Sequence, residues 1–505
     1  MAVYERQTPE TSLMYRVVAR QWPRIVAEYN VHGVTIPSYV SAEVERFLRC
    51  GILQYGFLLL RCPACDAEKV IGFSCKTRGL CSRCGARRHE QAAIRLESEV
   101  WPQVGARQWV LTFPYQVRRF LASSEPLMTA VIRVVNDEIS KLYIAHTPEL
   151  SDCLSTAHAA TGSMTFVHRF NSALDRSPHL HLIFADGVWG RKDGKRQYFP
   201  FRTLTSDDVV KVLFALEKRL TKLLRKKGFI RGYGPDIEEE PQDMPEGPFQ
   251  PRQPKAFRRD FQSPKWSEID RDKMTILGHC NATFRWLSLH AAVYVEPDDR
   301  EGLMSLFRYV ARSPICASRL SYVTPDDPER SMVRLRLKRR RYDGRQHLDF
   351  TQMEFVEHIL GLIPRPWHNL IRYHGVFAPN HAWREFIVPP HGRRRRVLSM
   401  DCDMLGKRDD EGGNSLGASG DRSRLQSSSR KQGTYWMPWG ELLRRTLAMC
   451  PETCSCGAMM VIRDDVTDAE EIAATMTRLG LCSTPPPLGR AAKSSSEVQY
   501  VFEDC

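Results

Sequence analysis

The 505-residue sequence lacks any apolar run long enough to cross a lipid bilayer. Its strongest apolar stretch, around residues 56–60, is far shorter than the roughly 20 residues that a membrane-spanning helix needs. The N-terminus, Met-Ala-Val-Tyr-Glu-Arg-Gln, lacks the apolar core of a secretory signal. Hydrophobic residues make up 42% and charged residues 26%, a balance that disordered chains do not have. These absences exclude a membrane bundle and wholesale disorder and indicate a globular protein inside the cell.

Acidic residues are also fewer than basic ones. The chain has 73 Lys and Arg but only 59 Asp and Glu, which gives a formal net charge of +14. An excess of base indicates a polyanionic partner, and nucleic acid is the leading candidate. The alternative is a solvated basic surface without a partner.

The length suggests about three domains at roughly 150 residues each. Helical periodicity covers residues 15–26 and 41–48, and Ser41 is the expected N-cap of the second helix. Beyond Trp109 helical segments such as 207–227 alternate with strand-like ones, which are 108–113, 164–170 and 179–184. This mixture predicts an α/β or α+β domain.

Two stretches of low complexity interrupt the chain. Residues 232–264 are rich in Pro, Gly and charge, which is typical of a disordered or extended insertion within a domain. Residues 391–433 resemble a flexible linker. We therefore expect five parts: an N-terminal domain at 1–100, a central domain at 105–390, the linker, a small C-terminal domain at 434–482, and a mobile tail at 483–505.

Many of the fifteen cysteines are clustered. Cys62-Pro-Ala-Cys65 and Cys81-Ser-Arg-Cys84 are two C-x2-C pairs separated by fifteen residues. Each pair can form a tight knuckle that directs two thiolates at one point, so the two pairs predict one tetrahedral structural zinc site. Nearby Cys50 and Cys75 could be substitute ligands, but small buried hydrophobes are the preferred interpretation. Cations around the block suit phosphate contact, among them Arg87 and Arg88.

The segment Pro178-His-Leu-His-Leu-Ile-Phe184 alternates as a strand does, so His179 and His181 share one face. Two imidazoles on one face can bind a divalent ion, although two surface histidines would give the same pattern. A strand pattern at 164–170 ends eight residues before His179, which predicts a hairpin. His168 could then be a third ligand, or it could pack across the strands.

Residues 300–312 read as a helix with an apolar stripe, and Tyr309 lies on the opposite side with Ser305, Arg308 and Arg312. Tyr309 could be a merely solvated side chain. A phenol flanked by arginines is also a suitable nucleophile for a phosphodiester, provided that cations offset its high pKa.

Three further features are weaker. Residues 333–341 alternate apolar and basic side chains, so Arg334, Arg336 and Lys338 would form a cationic strand face for single-stranded or hairpin DNA. A solvated face is the alternative. His290 could approach a metal ion, although a structural role is preferred, and the His374 segment reads as packing.

A His-hydrophobe-His strand followed by a tyrosine helix resembles the HUH superfamily of single-strand endonucleases. The sequence resembles in particular the rolling-circle transposases of the insertion sequence ninety-one family. The matching stretches span roughly residues 40–480 in the family's order and are FLRCGILQYGFLLLRCPAC, GFSCKTRGLCSRCGARRHE, RQWVLTFPY, TFVHRFNSALDRSPHLHLIFADGVW, LSLHAAV, LFRYVARSP, RYHGVFAPN and WGELLRRTL with CGAMMVI.

The resemblance implies an α+β HUH endonuclease core, an antiparallel sheet with helices. A helical, zinc-ribbon-like N-terminal domain would precede it and a small helical C-terminal region would follow. It also implies DNA transposition through a covalent 5′-phosphotyrosine, with His179 and His181 as metal ligands and Tyr309 as nucleophile. The expected cofactors are Mg or Mn for catalysis and Zn for structure. The expected partners are single-stranded DNA and element-end hairpins, in the cytoplasm of a bacterium and associated with its nucleoid.

Two positions depart from the family pattern. Part of the family has two tyrosines four residues apart, and the earlier position here is Ser305, which resembles the single-tyrosine branch associated with ISCR elements. The C-terminal C-x2-C appears as Cys454-Ser-Cys456, one residue short, so a second zinc site is not expected. Two other functions stay open: a plasmid replication initiator or relaxase with the same chemistry, and a non-enzymatic zinc regulator that binds duplex DNA.

Overall fold

The computed structural model of the protein describes residues 8–147, 159–192, 195–229, 274–338, 340, 344–388 and 453–486. The insertion expected at 232–264, the linker expected at 391–433 and all but the first few residues of the tail lie outside these ranges. Among the described helices, none combines the length and the apolar character that crossing a membrane requires.

The described part of the chain mixes helices with antiparallel strands. Its strands are β1 Phe57–Arg61, β2 Glu68–Gly72, β3 Ala106–Thr112, β4 Ala159–Ala160, β5 Gly162–Phe170, β6 Arg176–Ala185, β7 Gly187–Lys192, β8 Lys195–Pro200, β9 Thr275–Gly278, β10 Asn281–Phe284, β11 Leu287–Val295, β12 Leu320–Tyr322, β13 Val333–Arg336, β14 His347–Phe350, β15 Ile371–Gly375 and β16 Val461–Val466. Its helices are α1 Leu13–Val31, α2 Ser38–Leu48, α3 Ser82–Arg95, α4 Tyr115–Ser123, α5 Glu125–Ala145, α6 Ser206–Lys226, α7 Arg300–Ala311, α8 Gln352–Leu360, α9 Arg384–Ile387 and α10 Ala469–Arg478.

A seven-stranded antiparallel sheet, in the order β15-β5-β6-β3-β11-β10-β9, forms the centre of the described structure. Strict alternation along β6 sends Leu180, Leu182 and Phe184 to one face, where they join a core with α4, α5 and α6. The opposite face buries Phe166 and Ile183 against α7. The sheet is therefore covered by helices on both faces, and α7 lies on the face that carries the histidines.

The N-terminal helices pack on a second, smaller sheet. This sheet has the order β12-β13-β14, and its apolar face shares one buried core with α1, α2 and α8. The core also includes Cys50, Cys81 and Cys84, so the cysteines near α3 belong to the packing of this region. A third sheet, β4-β7-β8, flanks the central one.

The described C-terminal segment is part of the N-terminal region. Strand β16 pairs with β1 and extends the β1–β2 hairpin to a three-stranded sheet. Helix α10 packs its buried Ile472 and Met476 against Phe57 and Leu59 of β1. We expected a small helical C-terminal domain at 434–482, of which residues 434–452 lie outside the described ranges. The described residues contribute one strand to a sheet shared with β1 and one helix packed on it.

Two local predictions differ from the structure. Helix α2 begins at Ser38 after Pro37, so Ser41 lies inside the helix instead of capping it. Proline holds φ near the helical value and has no N–H to satisfy, which favours it where a helix starts. Within the described residues of the basic segment, the strand is Val333–Arg336, where β14 provides a partner.

Candidate functional site: the histidine and tyrosine centre and the cysteine clusters

The predicted hairpin of strands β5 and β6 brings three histidines together. His168 on β5 lies directly opposite His179 on β6, and His181 follows two residues later on the same face. One ligand nitrogen from each ring lies within 4.8 Å of the other two. The ring centroids of His168 and His181 are 4.2 Å apart, and each is 5.1 Å from that of His179. The arrangement could hold one metal ion.

Hydrogen bonds fix the orientation of all three rings. Nε2 of His168 donates to the carbonyl of Val310 at 2.6 Å, and Nδ1 of His179 donates to the carbonyl of Ser177 at 2.8 Å. Nε2 of the Gln108 amide donates to Nδ1 of His181 at 2.7 Å. Each ring therefore has one nitrogen held by the protein and one left for a ligand, as is usual for histidines that bind metals.

Burial keeps the three imidazoles neutral. Removal from water, together with the neighbouring His179, lowers the pKa of His168 to about 3. Burial also lowers the pKa of His179 and, more strongly, that of His181, which has the other two histidines and Arg312 nearby. Neutral imidazole is the form that coordinates metal ions. The site therefore presents its ligands in the competent state at pH 7.

Helix α7 places Tyr309 beside the histidines. The carboxylate of Asp299 caps the helix by accepting from the backbone N–H of Gly302 at 2.7 Å. Leu303, Leu306, Phe307 and Val310 are buried against the sheet, so Tyr309 on the other side is 45% exposed. Its ring centroid lies 5.7 Å from that of His181. The helix is anchored at this point because the Val310 carbonyl accepts the hydrogen bond from His168.

Cationic side chains continue outward from the tyrosine. The guanidinium carbon of Arg312 lies 4.5 Å from the centroid of the Tyr309 ring. Burial together with Arg312 and Arg319 lowers the pKa of the Lys338 ammonium, so these groups are close neighbours. Arg319 also donates to the carbonyl of Arg336, whose side chain is exposed. We call Arg312, Arg319, Arg336 and Lys338 the cationic patch.

The other cations expected to contact DNA are engaged within the protein. Arg308 makes two hydrogen bonds to Glu90 at 2.6 and 2.7 Å, joining α7 to α3. Arg334 makes two to Asp349 on the neighbouring strand at 2.7 and 2.8 Å. Arg87 donates to the Ser74 hydroxyl, and the exposed Arg88 donates to a backbone carbonyl. Arg308 and Arg334 therefore position elements of the fold.

Gln108 was not among the predicted site residues, although its strand was predicted at 108–113. Gln108 is almost fully buried, and its strand β3 lies beside β6 so that Val110 pairs with His181. A glutamine directly before the apolar run Trp109-Val-Leu111 of β3 was the available signal. His290, which we considered as a further ligand, lies on β11 and is not part of the three-histidine group.

Four cysteines near α3 form one compact cluster: Cys50, Cys75, Cys81 and Cys84. The sulfur of Cys50 lies 3.7 Å from those of Cys81 and Cys84, and Cys75 lies 3.5 Å from Cys84. A tetrahedral zinc ion with Zn–S bonds of about 2.3 Å requires sulfurs about 3.8 Å apart. Hydrogen bonding with Cys50 and burial raise the pKa of the Cys81 thiol, so four thiolates need a bound cation. The cluster fits zinc.

This cluster corrects the predicted ligand set. Cys62 and Cys65 do not join Cys81 and Cys84; they lie with Cys454 and Cys456 in a second four-sulfur cluster. The knuckle of Cys62 and Cys65 follows β1, whereas Cys81 is the N-cap of α3. Cys62 and Cys65 lie in the connection between β1 and β2, and β2 separates them along the chain from Cys81 and Cys84. Cys50 and Cys75, which we interpreted as buried hydrophobes, complete the first cluster.

Two family models match the chain. The model described as "Transposase zinc-binding domain" covers residues 17–113, and the model described as "Putative transposase" covers residues 162–384. The chain belongs to the insertion sequence ninety-one family of transposases. A search of the curated proteins and a search of the solved structures each found no match.

Membership in this family indicates the general activity of the protein. It acts on DNA as a nuclease and strand transferase, and it carries a structural zinc in its N-terminal region. The zinc-binding match includes Cys50, Cys75, Cys81 and Cys84, together with Cys62 and Cys65. The transposase match includes the three histidines and Tyr309.

Proposed function

We propose that this transposase is an HUH-type endonuclease that cuts and rejoins single-stranded DNA in rolling-circle transposition, with Tyr309 as the nucleophile. The observation that carries the proposal is the meeting of three neutral imidazoles with one exposed phenol, whose ring centroid lies 5.7 Å from that of His181. Tyr309 is not required for packing, because other residues form the buried apolar face of α7.

His168, His179 and His181 would hold one divalent ion. The hydrogen bonds at Nε2 of His168 and Nδ1 of His179 leave the other nitrogen of each ring for the ion. The Gln108 amide nitrogen donates to Nδ1 of His181. Exchange of the amide oxygen and nitrogen would let the oxygen accept from Nδ1–H and would leave Nε2 of that ring for the ion. When bound, the ion would polarise the scissile phosphate as a Lewis acid. Three imidazoles favour a transition ion such as Mn over Mg.

Tyr309 would carry out the covalent step. Its oxygen attacks the phosphorus, the new O–P bond forms, and the bond from phosphorus to the 3′-oxygen breaks. The phenol proton leaves to solvent, and the departing 3′-oxygen takes up a proton to become a free 3′-OH. Attack by that hydroxyl, or by one from another strand, reverses the step and releases the tyrosine. Arg312, 4.5 Å from the ring, stabilises negative charge on the phenolic oxygen.

The cationic patch would guide the single strand to Tyr309. Its four side chains lie beside and beyond the tyrosine, where the phosphates flanking a scissile bond would pass. The N-terminal zinc domain, with the exposed Arg88, would contact the hairpins of the element ends.

The number of catalytic tyrosines is a separate point. Ser305 lies one turn before Tyr309, where part of the family has a second tyrosine; it is exposed but offers no phenol. We therefore place the protein in the single-tyrosine, ISCR-like branch.

We propose one domain for DNA cleavage and one for DNA recognition. Residues 105–390 form the nuclease domain, and residues 1–100 form the recognition domain. Action on an element's DNA would place the protein in the bacterial cytoplasm, at the nucleoid.

A denaturing gel tests the proposal. Protein is incubated with single-stranded element ends labelled at the 3′ terminus, with Mn or Mg. Wild type should give a labelled band of protein size, stronger with Mn, and chelator should remove it. Tyr309→Phe and the double variant His179→Ala with His181→Ala should lose the band, whereas His290→Ala, on the same sheet but outside the group, should retain it. Cut DNA without any covalent band would mean hydrolysis by water and would refute the tyrosine mechanism.

A further inference from the structure

We propose that Cys62, Cys65, Cys454 and Cys456 bind a second zinc ion, which fastens the C-terminal segment to the N-terminal region. We call these four residues the zinc clasp. Neither family match reaches residues 453–486, so the clasp rests on the geometry of these four cysteines. The inference is independent of the proposed nuclease mechanism, because it concerns metal content and chain association alone.

The clasp is made of two facing knuckles. In the first, Asp66 N–H donates to the carbonyl of Cys62 at 3.0 Å, and Cys62 N–H donates to that of Ala67 at 2.9 Å. In the second, Gly457 N–H donates to the carbonyl of Cys454 at 3.0 Å, and Cys454 N–H donates to that of Ala458 at 2.9 Å. Each turn directs two thiols to one side, and the pairing of β16 with β1 brings the two sides together.

The distances between the sulfurs fit a tetrahedral ion. Cys62 lies 3.5 Å from Cys456, and Cys65 lies 3.5 Å from Cys454. All four sulfurs lie within 4.8 Å of one another. A zinc ion bound at about 2.3 Å by each requires separations of about 3.8 Å, close to those found. The missing residue in Cys454-Ser-Cys456 does not prevent convergence, because the short turn closes at Gly457 with a φ of +89°.

Packing alone does not explain the cluster. Cys65 and Cys456 are exposed, so they do not serve as small core hydrophobes. The two pairs of thiols join residues 394 and 389 positions apart in the chain, and such convergence indicates a shared ligand. Two disulfides are the chemical alternative, since the same pairs could oxidise. That state would need an oxidising environment, which is not typical of the cell interior.

A bound metal ion would strengthen the attachment of the C-terminal segment to the N-terminal region. Five of the six residues of β16 are exposed, and only Val466 is buried. The other attachments include the pairing of β16 with β1, the small cores around Met476 and Met460, and the ion pairs of Glu68. Gln54 and Lys69 also donate hydrogen bonds to backbone carbonyls of the segment. Structural zinc contributes its binding free energy directly to folding. The clasp would therefore determine whether the segment stays docked.

Metal analysis of the full chain gives the first test. Wild type purified under reducing conditions should contain two zinc ions per chain, one from each cysteine cluster. The double variant Cys454→Ser with Cys456→Ser should contain one. Cys482→Ser is the matched control, an exposed cysteine of the same segment outside the clasp, and it should contain two. Two zinc ions in the double variant, or one in wild type, would overturn the proposal.

A second test needs no cysteine variant. A specific protease site is inserted between residues 405 and 430 of the full chain, and the protein is cut there. The C-terminal fragment should copurify with the rest of the chain and dissociate when a chelator is added. A fragment that stays bound in chelator, or pairs of cysteines recovered as disulfides by mass spectrometry, would contradict a zinc clasp.

Discussion

At the scale of single residues, the centre depends on the groups that orient the three imidazoles. His168 is fixed by the carbonyl of Val310, His179 by that of Ser177, and His181 by the amide of Gln108. Two of these partners are backbone atoms and cannot be removed by substitution. Gln108 is the orienting side chain, so it offers a direct way to change the metal site without touching a ligand.

Gln108→Leu should weaken the affinity for Mn about 10- to 100-fold, the usual effect of removing a partner that orients a metal-binding histidine. Cleavage should fall at limiting Mn and recover at high Mn. The measurement is a Mn titration of cleavage together with a direct binding isotherm. Gln197→Leu, an exposed glutamine on β8, is the control and should behave as wild type. If Gln108→Leu has an unchanged Mn dependence, the amide has no role in holding the ring.

At the scale of secondary-structure elements, the sequence predicted the hairpin and the helix well. Alternation in Pro178-His-Leu-His-Leu placed His179 and His181 on one face, and the short connection from residue 170 to 176 forced the strands to be adjacent. The sequence was less informative about the contacts of a strand whose partner strand could not be predicted. Nothing in the alternation at 333–341 indicated that β14 would place Asp349 opposite Arg334 and engage its guanidinium.

The cationic patch leads to a prediction about the end of β13. Arg336→Ala with Lys338→Ala should reduce the salt dependence of binding to single-stranded oligonucleotides. The slope of log K against log salt should fall by about 1.4, since each phosphate contact on a single strand contributes roughly 0.7. Arg334→Ala removes a charge from the same strand but one that Asp349 already engages, so its slope should stay at the wild-type value. Equal slopes for all three proteins would place the DNA path elsewhere.

At the scale of the whole molecule, the largest correction concerns how distant segments meet. Two C-x2-C pairs close in sequence predicted one zinc site, yet each pair finds its partners elsewhere. Cys81 and Cys84 join Cys50 and Cys75, while Cys62 and Cys65 join cysteines almost four hundred positions away. Local spacing identifies a knuckle but not which knuckle it faces, because that depends on the pairing of β16 with β1.

The central claim is that Tyr309 becomes covalently bonded to DNA. The most direct measurement is mass spectrometry of the protein after reaction with a single-stranded element end and Mn, followed by nuclease and trypsin digestion. The account predicts a nucleotide linked through phosphate to the tyrosine of the peptide that begins Tyr309-Val-Ala-Arg, and the same product from a Tyr322→Phe variant. A nucleotide found on Tyr322 or any other tyrosine, or cleaved DNA with no modified peptide, would contradict it.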